Sequence, residues 1–178
     1  MAIYSSNTAL EDKDCWQTPQ WLFEALTLEF GFWLDVAANE QNALCPYFLT
    51  LENDALKSDW VSHGAIWCNP PYSNPKPWIE KAAEQCIKQN KAVVMLVPAD
   101  QSTSWYSLAL KSVDEIRLIV DGRINFIDPR TGKEKKGNSK GSMFLIWRPY
   151  SQPQARVTHV SKHRLIEIGE ASLNGEAA

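Results

Sequence analysis

The stretch AIWCNPPYSNPKPW, residues 65–78, decides how the rest of the chain is read. Ala65 to Cys68 form a short apolar run, which reads as a buried strand. Asn69-Pro70-Pro71-Tyr72 follows. Two prolines fix φ and remove two backbone donors, so the chain can neither continue the strand nor enter a helix cleanly. Beyond them, the spacing of Trp78, Ile79, Ala82, Ala83, Cys86 and Ile87 predicts an amphipathic helix over PKPWIEKAAEQCIKQ. One proline would be enough to stop a strand. An amide, two prolines and an aromatic ring together point instead to a pocket for a planar, nitrogen-bearing group. A strand terminator with Tyr72 packed on the surface is the plainer alternative.

On the amino-terminal side, residues 1–15 are polar and read as a flexible arm with no apolar leader segment. Thr18-Pro19 opens a helix over PQWLFEALTLEF, with Thr18 as its cap, and Gly31 ends it. FWLDVAA, residues 32–38, predicts a buried strand. A further strand is expected near Tyr47 to Leu51, then a loop carrying Asn53 and Asp54. On the carboxyl-terminal side, KAVVMLVP is nearly continuous and β-branched, as a strand covered on both faces should be. STSWYSLALKS predicts helix and EIRLIV strand. GRINFID and GSMFLIWRP read as two strands joined by the polar, mobile loop PRTGKEKKGNSK. Residues 151–178 read as an extension, with RVTHV and RLIEI as short strands and a tail at the end.

Strands alternating with helices imply an α/β fold: a mostly parallel sheet with an antiparallel edge pair and helices on both faces. The expected organisation is one domain over residues 16–150, flanked by the arm and the extension. In such sheets ligands bind off the carboxyl ends of strands, and both LDVAA and NPPY lie at such ends.

Composition narrows the function. The chain has 178 residues, 44% hydrophobic and 22% charged, with a formal net charge of -3. Overall charge therefore announces no nucleic-acid partner; a local patch must supply the attraction. Eight tryptophans are many for a chain of this size, so some are expected at a site or interface. The four cysteines show no CxxC spacing and read as the reduced thiols of a cytoplasmic protein. His159 and His163 have no further ligands nearby, so no metal site is expected. No run reaches the roughly 18 apolar residues that a membrane span requires.

Several pieces now stand in order: WQTP (16–19), LDVAA (34–38), NDAL with DW (53–60), WCNPPYS (67–73), VVMLVPA (93–99) and GRINF (122–126). Together they resemble the bacteriophage-type DNA N6-adenine methyltransferases, the Dam family of phages and prophages. NPPY alone also occurs in methyltransferases acting on RNA adenine and on protein glutamine; WQTP before it and GRINF after it single out the phage group. The resemblance implies a Rossmann-like methyltransferase fold, S-adenosyl-L-methionine (SAM) as cofactor, double-stranded DNA as substrate, and protection of phage DNA from restriction as the biological use.

Within that resemblance the tetrapeptide has a chemical rationale. The exocyclic amine of adenine is a poor nucleophile because its lone pair is delocalised into the ring. The Asn69 side-chain oxygen and the Pro70 carbonyl can accept from its two N–H groups and favour a tetrahedral nitrogen. Pro70 and Pro71 preorganise the pair. Tyr72 offers a face for stacking on a base flipped out of the duplex.

For the cofactor, the resemblance implies contacts from Asp35 and Ala37 of LDVAA, from Trp16, Thr18 and Pro19 of WQTP, and from Asn53 and Asp54. LDVAA departs from the glycine-rich turn of the wider superfamily. An Asx turn explains Asn53 and Asp54 as well, and helix capping explains Thr18. For DNA, Arg123, Arg130, Lys133, Lys135, Lys136 and Lys140 outnumber Asp128 and Glu134 by four charges between residues 123 and 140. They are expected to meet phosphates, although a solvated hairpin tip has the same composition. Ser73 and Lys76 adjoin the tetrapeptide and are further candidates; Arg123 of GRINF is expected to contact phosphate or the target base, with Phe126 packing against it. The competing functions are the same chemistry on RNA adenine or protein glutamine, and an inactive SAM-fold module that only binds nucleic acid.

Overall fold

A computed structural model describes residues 16–175. The expected arm and the last residues of the tail lie outside them. The element order is α1 (Gln20–Phe30), β1 (Phe32–Asp35), β2 (Tyr47–Phe48), β3 (Ala65–Cys68), α2 (Lys76–Gln89), β4 (Val93–Pro98), α3 (Ser104–Ala109), β5 (Glu115–Val120), β6 (Phe126–Asp128), β7 (Lys133–Lys135), β8 (Ser142–Trp147), β9 (Arg156–Ser161) and α4 (Lys162–Leu173).

Seven strands form one sheet in the order β2-β1-β3-β4-β8-β5-β9, and β6 with β7 form a separate ribbon. Strands β2, β1, β3 and β4 are parallel neighbours; β8 runs antiparallel to both β4 and β5, and β5 is parallel to β9. The α/β class, the mostly parallel sheet and the antiparallel pairing agree with expectation. Their placement differs, because β8 lies inside the sheet rather than at its edge. Its six residues are all buried, and burial on both faces is what an interior strand provides.

Side chains of β4 alternate between two cores. Val93, Met95 and Val97 face Ile79, Ala82 and Cys86 of α2 and Tyr106 and Ala109 of α3. Val94 and Leu96 face Leu22, Phe23 and Leu26 of α1 and Leu165 of α4. Helices therefore cover both faces. On α2 one expectation fails: Ile87 is exposed, whereas Gln85 is buried and accepts from the Trp60 backbone N–H at 2.8 Å. Helix α1 begins after Pro19, and the Thr18 side chain makes no cap hydrogen bond. Gly31 ends the helix at φ 65°, as a left-handed C-cap requires.

The carboxyl-terminal residues do not form two short strands. RVTHV is β9, which completes the main sheet beside β5, but RLIEI lies within α4. Leu165 and Ile168 are three positions apart, as on one helix face, and pack on the core beneath α1. Glu115 ties this region together. Burial pushes its carboxyl up, but hydrogen bonds from Arg117, Thr158 and Arg148 outweigh it and hold the group at about 2.

Order β2-β1-β3-β4 places a topological switch between β1 and β3: the chain leaves β1 toward one side and β3 toward the other. Asp35 pairs in register with Trp67 there, so the ends of LDVAA and AIWC emerge side by side.

Helices α1 and α4 touch through backbone. A Cβ on Gly169 would lie 1.9 Å from the Trp21 carbonyl oxygen and 2.6 Å from its carbon. Gly169→Ala is expected to cost about 2–4 kcal/mol, because backbone must move to make room. Urea unfolding measures it, and a loss under about 0.5 kcal/mol, the scale of a neutral surface change, would contradict this contact.

Candidate active site

Asn69 leaves β3 half-buried, with Pro70 buried behind it. Its Nδ2 donates to the carbonyl of Trp16 at 3.0 Å. This contact joins the two segments that sequence reading set side by side, WQTP and NPPY. With the nitrogen committed, the amide presents Oδ1 on its other side. No described residue donates to that oxygen or to the Pro70 carbonyl. Pro71 has no N–H to intrude. The two acceptors expected of the tetrapeptide are thus free of internal partners among the described residues.

Tyr72 is half-buried and meets Phe126 edge to face, with ring centroids 6.1 Å apart and an interplanar angle of 81°. Its hydroxyl is buried without a partner. Burial, with Cys68 close by, pushes the phenol far above its usual range. Phe126 is 5% exposed, so it does not reach out beside Arg123 as expected but forms the floor under Tyr72.

The WQTP segment is held from three directions. Gln17 and Ile127 exchange backbone hydrogen bonds at 3.1 and 2.9 Å, adding a bridge to the edge of β6. The Lys135 ammonium stands 4.5 Å from the centroid of the Trp16 ring. Pro19 starts α1. Between these anchors Thr18 is buried with its hydroxyl unpaired, and it lines a cavity of about 310 Å³ with Gln17, Phe23, Leu44 and Ile127.

Asp35 ends β1 and is buried. It accepts from the backbone N–H of Ala37 and of Leu44, each at 3.3 Å. Desolvation outweighs these bonds and raises its carboxyl to about 6. Cys45, buried beside it, is pushed up to about 12 by its own burial and by the Asp35 charge. A second cavity of about 480 Å³ is lined by residues 39–41 and 50–52, with Gln41 common to both cavities. Gln41, Asn42, Leu44 and Glu52 carry no motif, and no sequence signal selects them; only the loop's return over Asp35 does. Ala37 is half-buried on the same loop. Asn53 and Asp54 line neither cavity. Asn53 accepts from the Thr50 backbone N–H and hydroxyl at 2.8 and 3.0 Å. Asp54 sits at φ 45° and pairs with Lys57 at 2.6 Å. Both are engaged as a plain turn engages them.

The basic residues divide. PRTGKEKKGNSK is not all loop, since β7 occupies its centre and the turn before it closes on the Asp128 carbonyl. Arg130 pairs with Asp128 at 3.2 Å, and Lys140 pairs with Asp100, whose carboxyl is held down to about 2 by the Lys140 ammonium and Ser102. Arg123 donates to the Asn138 carbonyl at 2.8 Å. Lys135 rests on Trp16. Lys133 and Lys136 are exposed and make no ion pair among the described residues. Ser73 and Lys76 are exposed beside the start of α2. Among the described residues no cluster of His, Cys, Asp and Glu could hold a metal ion, and no helix is long and apolar enough to cross a membrane.

Comparison with known proteins matches residues 5–172 to the family model described as DNA N-6-adenine-methyltransferase (Dam). The chain is 38% identical over 167 residues to the DNA N-6-adenine-methyltransferase of Haemophilus phage HP1 (strain HP1c1), covering 92% of this chain and 96% of the relative. It is 36% identical over 169 residues to the DNA N-6-adenine-methyltransferase of Escherichia phage T1, covering 86% and 71%.

The raised Asp35 carboxyl makes a prediction about stability. Its folded value, about 6, exceeds the ordinary 3.8. The folded state therefore favours the protonated acid, and stability is lost as pH rises from about 4 through 6. Asp35→Asn removes the charge but keeps only one acceptor for two N–H donors. It is expected to stabilise the fold by about 1–2 kcal/mol at pH 8. The gain should shrink toward zero below pH 4 in melts across that range. A pH-independent difference would show that Asp35 is not held as described.

Proposed function

Because the chain belongs to the DNA N-6-adenine-methyltransferase (Dam) family, we propose that it transfers a methyl group from S-adenosyl-L-methionine to N6 of an adenine flipped out of double-stranded DNA, with the turn at residues 69–72 as the catalytic site. The observation that carries this reading is the Asn69 amide, fixed by its nitrogen on the Trp16 carbonyl and presenting its oxygen outward. Asn69 Oδ1 and the Pro70 carbonyl accept from the two N6 hydrogens, so the nitrogen lone pair is drawn out of the ring. Pro70 and Pro71 hold both acceptors without competing donors. The exposed part of Tyr72, backed by Phe126, stacks on the base.

The donor site is proposed to lie between the WQTP segment and the loop after β1. Two features there suit a cationic, amino-acid-bearing donor: the unpaired Thr18 hydroxyl on a cavity wall, and the buried, poorly solvated Asp35 carboxylate. Trp16, Pro19 and Ala37 flank this region without lining either cavity and are proposed as further contacts of the donor. When bound, SAM supplies an electrophilic methyl group on a sulfonium. The residues of this chain contribute approximation and charge complementarity, and no general base is needed before transfer. Asn53 and Asp54, tied up in their turn, shape the loop rather than touch the donor.

Lys133 and Lys136, with Arg123, Ser73 and Lys76, are proposed to meet DNA phosphates. Arg130 and Lys140, each neutralised by an aspartate, contribute less. Masking of phage or prophage DNA from restriction is the biological use this chemistry suits.

Asn69→Ala is expected to lower turnover about 100-fold or more, the scale of one lost preorganised acceptor, while folding and donor binding persist. Labelled donor supplied with DNA, RNA and total protein tests the substrate. Label in RNA or protein and none in DNA would transfer the reading to those substrates, and donor binding with no turnover would leave a binding module. Lys133→Ala with Lys136→Ala should weaken DNA binding and reduce the slope of log affinity against log salt by about 0.9 per lysine; an unchanged slope removes them from the DNA face.

A further inference from the structure

The basic ribbon β6–β7 is joined to the catalytic turn by more than proximity. Ile127 of β6 bridges Gln17 through two backbone hydrogen bonds. Lys135 of β7 stands over the Trp16 ring. The Trp16 carbonyl receives the Asn69 amide. Phe126, which pairs in register with Lys135, supports Tyr72. Each contact ends on a residue of the WQTP segment or of the catalytic turn.

From this chain of contacts we propose that Lys135 is a positioning residue for the Asn69 amide, acting through Trp16, and not a phosphate contact like its neighbours Lys133 and Lys136. The assignment rests on the catalytic role proposed for Asn69. An amide offers the adenine amine an oxygen only if its nitrogen is held on the other side. The holder is the Trp16 backbone carbonyl, and a backbone carbonyl is only as well placed as its peptide. Gln17 fixes that peptide on one side by the bridge to β6. The half-buried Trp16 ring packs against the core, and Lys135 adds an ammonium 4.5 Å from the ring centroid, so a shift of the ring that would carry the peptide with it is opposed by both. An ammonium attracted to an indole face is worth roughly 0.5–1 kcal/mol at an exposed site. Displacement of a reacting group by a fraction of an ångström is the kind of error to which catalysis is most sensitive. A cation committed to an indole face is also a poor partner for phosphate, which separates Lys135 from the other lysines of the ribbon.

The test is Lys135→Met, measured in the full chain with labelled donor and duplex DNA. The variant keeps the length of the side chain and removes the charge. Turnover at saturating DNA is expected to fall at least roughly twofold to fivefold, the kinetic equivalent of the lost attraction. The salt slope of DNA binding should stay at the wild-type value, whereas Lys133→Ala lowers it. Lys135→Arg, which also attracts an indole face, should restore turnover. Trp16→Leu should lower turnover by itself and make Lys135→Met silent on top of it; this cycle carries the test if Lys135→Met melts early. The proposal is overturned if turnover is unchanged, if Lys135→Arg fails to restore it, if the salt slope falls as it does for Lys133→Ala, or if the two substitutions add independently. Absence of DNA methylation by the wild-type chain would instead remove the catalytic reading on which the proposal rests.

Discussion

The hydrogen bond from Asn69 Nδ2 to the Trp16 carbonyl spans 53 positions of sequence and sets the chemical sense of the site. An amide side chain has a donor end and an acceptor end, and a hydroxyl or a water as partner would accept either one. A backbone carbonyl can only accept. The nitrogen is therefore committed to the protein, and the oxygen is the end that faces outward. The proposed receipt of two N–H groups needs this orientation. It exists only while the segment before α1 is in place, which explains why so many otherwise separate contacts converge on Trp16, Gln17 and Thr18. The Gln17–Ile127 bridge, the Lys135 ammonium and the start of α1 at Pro19 fix one short segment from three sides.

The antiparallel strand makes that convergence topologically possible. Strand β5 runs parallel to β4 and ends at the same edge of the sheet as β3, where the turn at residues 69–72 lies. A parallel successor would require a crossover back to the opposite end. Here the chain turns at Asp121 and Gly122, with φ of 63° and 131°, makes the β6–β7 ribbon, and re-enters as β8 between β4 and β5. Insertion of β8 in reverse keeps the whole excursion at the end of the sheet that carries Asn69. The same topology that departs from a simple parallel sheet therefore carries basic residues to the mouth of the site.

Much of this was legible in the sequence. The β-branched run Val93–Val97 and the apolar run Ala65–Cys68 could only be interior strands, and the amphipathic spacing of Ile79, Ala82 and Cys86 fixed the face of α2. The tetrapeptide stood out because two prolines and an amide have few other uses after a buried strand. What escaped depended on tertiary context. RLIEI is too short for its apolar residues to decide between the two periods, and only the face of α1 selects helix over strand. GSMFLIW read correctly as a strand, but its place inside the sheet is a matter of partners, which local pattern does not carry. Thr18 looked like a cap by position, yet Pro19 starts the helix and leaves the hydroxyl without that role. Lys135 was one cation among six until the ribbon brought it over an indole. Gln41 and Leu44 had no signal at all, because loops over a carboxylate are recruited by geometry rather than by residue type.

The distribution of unsatisfied polar groups separates the working end of the molecule from the supporting end. At the amino-terminal end of β5, every buried charge has partners: Glu115 accepts from Arg117, Arg148 and Thr158, and Asp114 from Arg148. At the carboxyl-terminal ends of the strands the opposite holds. The described residues contain three buried side-chain oxygens without hydrogen-bond partners: Thr18 beside the cavity, Tyr72 after β3, and Ser142 opposite Pro98 at the end of β4. Asp35, raised to about 6, lies at the same end. Each unpaired oxygen costs on the order of 1–3 kcal/mol, and alanine, phenylalanine or valine would avoid that cost without disturbing the sheet. A chain that pairs its charges completely at one end has the means to do so at the other. Concentration of these costs around a single turn is what a fold displays where stability has been given up for a binding site, and it marks that turn independently of any motif.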